Sequence, residues 1–224
     1  MSDRAYLALY FDAPLQSWGF ASKFDRRTTL AHPTRSGVIG LLCAASGVDR
    51  ADTKGLRHLD GELEIDVYTF APGGRLTDYH TVGGGYDPKR DAQKICRKAK
   101  ASGGAGTTVQ TYREYLEDAR FGAVVSGGTE RINALAAHVQ NPVWGIWLGR
   151  KACVPAARVF AGVHADRDAA VAALGAAAGG RPATRIVREA ATFEDGTDTL
   201  MDRPLDFNPD SRRFAPRRIR VDTE

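Results

Sequence analysis

The chain has 224 residues, 43% hydrophobic and 26% charged, which suits one soluble globular domain, or one core carrying an elaborated arm. No run of eighteen apolar residues occurs, and Met1-Ser2-Asp3-Arg4 opens neither a basic leader nor a long apolar segment. A membrane span and a secretory signal are therefore not expected, and the expected location is the cytoplasm. The net charge of +4 is too small to identify a partner by itself.

In chain order, Tyr6 to Phe11 is a compact apolar and aromatic block, read as a buried strand that ends at Asp12-Ala13-Pro14. Gln16 to Gly19 follow in a loop, and residues 20–33 read as a basic loop. Val38 to Ser46 is apolar around most of its circumference and predicts a helix buried on several sides. Thr34 or Ser36 would cap it and Gly47 would stop it. Gly37 and Gly40 imply that something, a packed strand or a ligand, approaches its first turn closely. Leu63, Ile65 and Val67 alternate with Glu64, Asp66 and Tyr68, which predicts a half-buried strand.

Thr77 to Val82 and Thr107 to Tyr115 read as the two strands of a β-hairpin arm. The polar segment between them holds Lys89, Arg90, Lys94, Arg97, Lys98 and Lys100 and reads as its basic tip. Phe121 to Val125 predicts a strand, and Thr129 a helix cap. Ile132, Leu135, Ala136 and Val139 keep helical spacing up to Asn141-Pro142. Val143 to Leu148 and Val159 to Val163 predict strands. Asp166 starts an alanine-rich helix that ends at Gly179-Gly180. Short strands are expected at Thr184 to Arg188 and Arg217 to Val221. The core order is strand, helix, strand, arm, strand, helix, strand, the split βαβ or ferredoxin-like pattern of an α+β fold.

Most enzyme classes lack their signatures. Cys43, Cys96 and Cys153 form no C-x-x-C pair and read as reduced thiols, Cys43 as a buried one. The histidines show no metal spacing, so no metal or cofactor is expected. Gly37-Val38-Ile39-Gly40 is not followed by the lysine of a P-loop, and Ser36 lacks a nucleophile-elbow context. Glu114, Glu117 and Asp118 read as solvated surface. Tyr79-His80-Thr81 with Tyr112-Arg113 is the one constellation that suits metal-independent RNA cleavage.

RNA binding without chemistry asks for less: cations for phosphates and planar groups for bases. Lys23, Arg26, Arg27 and Arg35 form one basic stretch, the arm tip a second, and Arg212, Arg213, Arg217, Arg218 and Arg220 a third. Together they could converge on one polyanion. Trp18, Tyr79, His80 and Tyr112 are candidate platforms, and each suits a core or boundary position equally well.

Five blocks resemble the CRISPR-associated Cas-five family in its type I-E form. They are Tyr6 to Gly19, Pro33 to Leu42, Asp78 to Val82, Thr111 to Leu116 and Leu148 to Cys153, in family order. The resemblance implies a RAMP fold: a ferredoxin-like, RRM-like core over residues 1–165, with 76–116 as an inserted thumb and 166–224 as a C-terminal, β-containing extension. It implies a non-catalytic subunit of a Cascade-type surveillance complex that caps the 5′ handle of the crRNA. The expected neighbours are a CasC-type backbone subunit and a CasA-type large subunit, with target DNA a further candidate contact at the thumb tip.

On that reading Arg35, with Thr34 and the backbone of Ser36 and Gly37, would hold handle phosphates. Gln16 and Trp18 would meet handle bases. Arg26, Arg27, Tyr79, His80, Thr81, Tyr112 and Arg113 would face the RNA from the basic loop and the thumb, and Arg150 and Lys151 would add a further basic loop. The alternative is a pre-crRNA endoribonuclease, the role of a related subunit in type I-C systems. A third reading is a protein scaffold whose basic loops are only solvated. The segment between Gly83 and Thr107 is long and lysine-rich for the family.

Overall fold

The computed structural model describes residues 4–20, 22, 25–82 and 109–223. The expected thumb tip with its lysine cluster, and Lys23, lie outside the described residues.

The main sheet has seven strands, each paired antiparallel to its neighbours: β1 (Arg4–Asp12), β4 (Glu64–Ala71), β7 (Arg120–Gly128), β8 (Phe160–His164), β9 (Arg185–Glu189), β10 (Asp198–Asp206) and β11 (Arg213–Thr223). Their spatial order is β10-β11-β9-β4-β7-β1-β8. The strands after residue 165 thus continue the sheet beside β4.

Helices cover both faces of the sheet's middle. On one face Leu7, Leu9 and Phe11 of β1 and Ile65 and Val67 of β4 join a core with α1 (Arg35–Ser46), α2 (Thr53–Gly61) and α3 (Thr129–Gln140). On the other, Ala8, Tyr10, Tyr68, Phe70 and Val124 pack against Ala170 and Leu174 of α4 (Arg167–Ala177). The β4 strand is therefore buried on both faces rather than half-buried. Asp66, on its second face, is ion-paired to Arg167 at 3.0 Å. Burial raises the Asp66 carboxyl above the usual carboxylate range, with Arg167 opposing the shift.

Local signals set most helix ends. Thr34 caps α1 by accepting from the Gly37 N–H, and Gly47 ends it with φ 74°. Asp166 caps α4 by accepting from Ala169. Thr129 is not a cap: it is the first residue of α3, and Gly128 before it makes no side-chain cap bond.

A second, smaller sheet carries the arm. β6 (Val109–Glu117) pairs antiparallel with β5 (Gly74–Val82) and with the short β2 (Leu15–Gln16), and parallel with β3 (Arg26–Arg27). Residues Val143 to Leu148 are not a strand. Val143 and Trp144 donate instead to the carbonyls of Ala45 and Ala44 at 2.9 and 3.1 Å, at the end of α1.

Candidate nucleic-acid interface

Four of the expected contact residues, Gln16, Trp18, Thr34 and Arg35, are internal. Gln16 is fully buried, and its amide donates to the carbonyls of Ala119 (2.6 Å) and Phe11 (3.2 Å). Its Oε1 accepts from the Trp18 indole N–H at 3.2 Å. Trp18 is 1% exposed and packs against Phe11, ring centroids 5.4 Å apart. It is also what approaches the first turn of α1: a Cβ at Gly37 would lie 2.7 Å from Trp18 Cε3.

Arg35 is 1% exposed as well. Its Nε donates to Asp60 Oδ1 at 2.7 Å and Nη1 to Glu189 at 3.0 Å. Nη2 donates to the carbonyls of Asp60 and Leu63 at 2.7 and 2.9 Å. With its donors so occupied, this guanidinium has no face to offer a phosphate. The helix start is taken too. The Arg35 N–H donates to Asp202 Oδ2 at 2.8 Å, so a carboxylate already occupies the positive end of α1. Gln16, Trp18, Thr34 and Arg35 are therefore fixtures that build the site rather than side chains that reach into a ligand.

The third basic stretch is likewise partly neutralised. Arg217 is buried and binds Asp202 through Nε and Nη2 at 2.7 and 3.0 Å. Arg220 pairs with Asp222 at 2.8 Å, and Arg218 lies over the Phe193 ring at 4.3 Å.

Part of what remains lines one cleft of about 880 Å³ between α1, the loop after β2, the 143–151 loop and the β10–β11 connection. Of the expected residues it gathers Arg27, Arg150 and Lys151 beside Thr34, Ser36 and Gly37, with Trp18 contributing to its wall. No sequence signal marks Arg50, Trp144, Trp147, Phe207 or Phe214, and Arg212 stands out there only as part of a basic stretch. All six line the cleft. Five cations border it, and no carboxylate does among the described residues. Such a wall attracts polyanions. Cys43 also lines it, but burial pushes its thiol up to about 12, which keeps it protonated and unreactive at neutral pH.

Arg150 is held by its surroundings. Nη1 donates to the Glu114 carbonyl at 2.6 Å, Nη2 donates to the Arg27 carbonyl at 2.8 Å, and the guanidinium sits over the Tyr115 ring at 4.6 Å.

A second group lies on the arm. Tyr79 and Tyr112 are cross-strand partners, 51% and 39% exposed, with ring centroids 5.4 Å apart. Arg26 lies over Tyr112 at 5.6 Å. Asp78 contacts His80 and is the register partner of Arg113, whose Nε donates to Thr111 at 3.1 Å. Thr81 is exposed on the same strand. β3 links the two groups: Arg26 stacks on the arm while Arg27, its neighbour, lines the cleft.

The mixed α/β fold with antiparallel sheets has counterparts among known proteins. The chain belongs to the CRISPR-associated protein (Cas_Cas5) family, which it matches over residues 6–220. It is 33% identical over 177 residues to the CRISPR system Cascade subunit CasD of Escherichia coli (strain K12), covering 74% of each chain. Among solved structures it is similar to a chain of a CRISPR RNA-guided surveillance complex, with TM-score 0.74 and 32% identity over 97% of this chain and 89% of that one. It is also similar to a structure described as a Cas protein, with TM-score 0.66 and 26% identity over 97% and 94%. No helix among the described residues is long and apolar enough to cross a membrane.

Proposed function

We propose that the chain is a non-catalytic subunit of a type I-E CRISPR surveillance complex that caps the 5′ handle of the crRNA and bridges a CasC-type backbone subunit and a CasA-type large subunit. The observation that carries this is the cleft with five cations and no bordering carboxylate among the described residues. Phosphates would run along Arg27, Arg150, Lys151 and Arg212, and the Tyr79–Tyr112 pair would meet the RNA from the arm.

We take the core as the ferredoxin-like RAMP unit of residues 1–165, with 76–116 as its thumb and 166–224 as the extension. The order β4-β7-β1-β8, with α1 after β1 and α3 after β7, supports that reading. The test is purification of the tagged chain from its host and sequencing of the RNA it carries. Short RNAs sharing one 5′ end, with partner proteins, are expected. Recovery of the protein without RNA sinks the reading.

One observation favours cleavage as a second reading: His80 is oriented by Asp78, with Arg113 on the paired strand. Steady cutting of repeat RNA by the purified chain in EDTA, lost in H80A, would make the chain a nuclease.

A further inference from the structure

Trp144 and Trp147 have no part in the core. They are 44% and 38% exposed, where Trp18 is buried. Both border the cationic cleft. Their loop is tied down along its length. Val143 and Trp144 donate to the end of α1, and Val143 lies against Gly47, where a Cβ would come within 3.1 Å of Val143 Cγ1. Leu148 donates to the Cys153 carbonyl at 2.8 Å and accepts from the Ser17 N–H at 3.0 Å. The Trp147 indole folds back over Gly145, where a Cβ would lie 2.7 Å from Cζ2. A larger residue at 145 would displace that ring.

Two indoles held half in solvent on a pinned loop are costly to leave uncovered. The ligand that covers them must also satisfy the cations across the cleft. An apolar protein segment would answer the indoles and strand the cations. An acidic segment would do the reverse. Single-stranded nucleic acid supplies planar faces and anionic groups together, at nucleotide spacing.

We infer that Trp144 and Trp147 form a base-stacking platform, on which unpaired RNA bases lie while their phosphates follow the cationic wall. This rests on the reading of the cleft as an RNA site and adds how the bases are held: by stacking, which accepts any base. Gly145 is the positioning residue that seats the Trp147 ring.

The test compares binding of the full chain to a short single-stranded RNA and to an abasic oligonucleotide with the same number of phosphates, over a range of salt. W144A and W147A are each expected to weaken RNA binding by about 5- to 150-fold. They should leave abasic binding and the salt slope unchanged, while W144F and W147F retain most of the affinity. G145V should behave like W147A. Both indoles are exposed, so the variants should fold, and an unchanged melting curve confirms it.

Equal loss on both oligonucleotides, or no loss on either, overturns the platform while leaving the cleft an RNA site. Normal RNA binding by the tryptophan variants together with failure to join the assembled complex assigns the indoles to a protein neighbour and also overturns it. If the unaltered chain binds neither oligonucleotide at low salt, the RNA reading of the cleft itself fails, and the platform with it.

Discussion

The indole of Trp18 and the backbone of Gly37 are in direct contact: a Cβ at position 37 would stand 2.7 Å from Trp18 Cε3 and 3.0 Å from Thr34 Oγ1. Trp18 is buried and packs against Phe11, which limits how far its ring can retreat. Gly37→Ala should therefore cost about 1–3 kcal/mol. Gly40, three residues along the same helix, has only Phe207 at 3.8 Å. Gly40→Ala should be neutral or stabilise by up to about 1 kcal/mol. Urea unfolding of the two variants checks this, and equal midpoints would contradict it.

Arg35 compensates Asp60 and Glu189 from inside the protein. Arg35→Ala should destabilise by about 3–5 kcal/mol, because the buried Asp60 carboxylate loses its partner. Arg203 also reaches Asp60, at 3.1 Å, and softens the loss. The fraction still folded should bind RNA with an unchanged salt slope. A reduced slope at full stability would mean that Arg35 touches phosphate after all.

Arg150 and Lys151 are adjacent and differ in kind. Lys151→Ala should lower the slope of log affinity against log salt by about 0.7 for single-stranded RNA. Arg150→Lys should be no better than Arg150→Ala. Lysine cannot make the two carbonyl bonds and the Tyr115 stack at once. Filter binding at several salt concentrations measures both.

His32 is buried, and burial pushes its imidazole below the ordinary value. The unfolded chain takes up a proton near about pH 6.5, and the folded chain resists it. The stability from the neutral ring is thus complete above about pH 6.5 and is lost as pH falls through the folded value. Unfolding midpoints should drop across that window, and His32→Asn should flatten the dependence. A flat profile for the unaltered protein would refute it.

What the sequence displayed was what adjacent residues decide. A cap at Thr34 or Ser36, the Gly47 stop, the β1 strand and the separate β5 and β6 strands all follow from short-range chemistry. The inward fates of Gln16, Trp18 and Arg35 did not, because their partners stand far off in the chain: Ala119 for Gln16, Glu189 for Arg35. β10 escaped because Asp202 and Asp206 are among its buried residues, so the apolar alternation that marks a strand is absent. The short, polar α2 gave too little period to read. The tryptophan loop looked like a strand because Val143, Ile146 and Leu148 are apolar, yet its backbone bonds go to the end of a helix.

The first helix is completed by one of the last strands. The Arg35 N–H finds its acceptor on Asp202, 167 residues later, and the Arg35 side chain reaches Glu189. A nascent chain that has just made α1 finds Asp60 and Leu63 for the Arg35 guanidinium soon after, but the N–H at the helix start waits roughly 10–30 s of synthesis for Asp202 at ordinary ribosome speeds. Loss of residues from 189 onward would leave the helix start without Asp202 and the guanidinium without Glu189 permanently. The cleft acquires its shape only once Phe207, Arg212 and Phe214 have joined it, well after the helix itself is made.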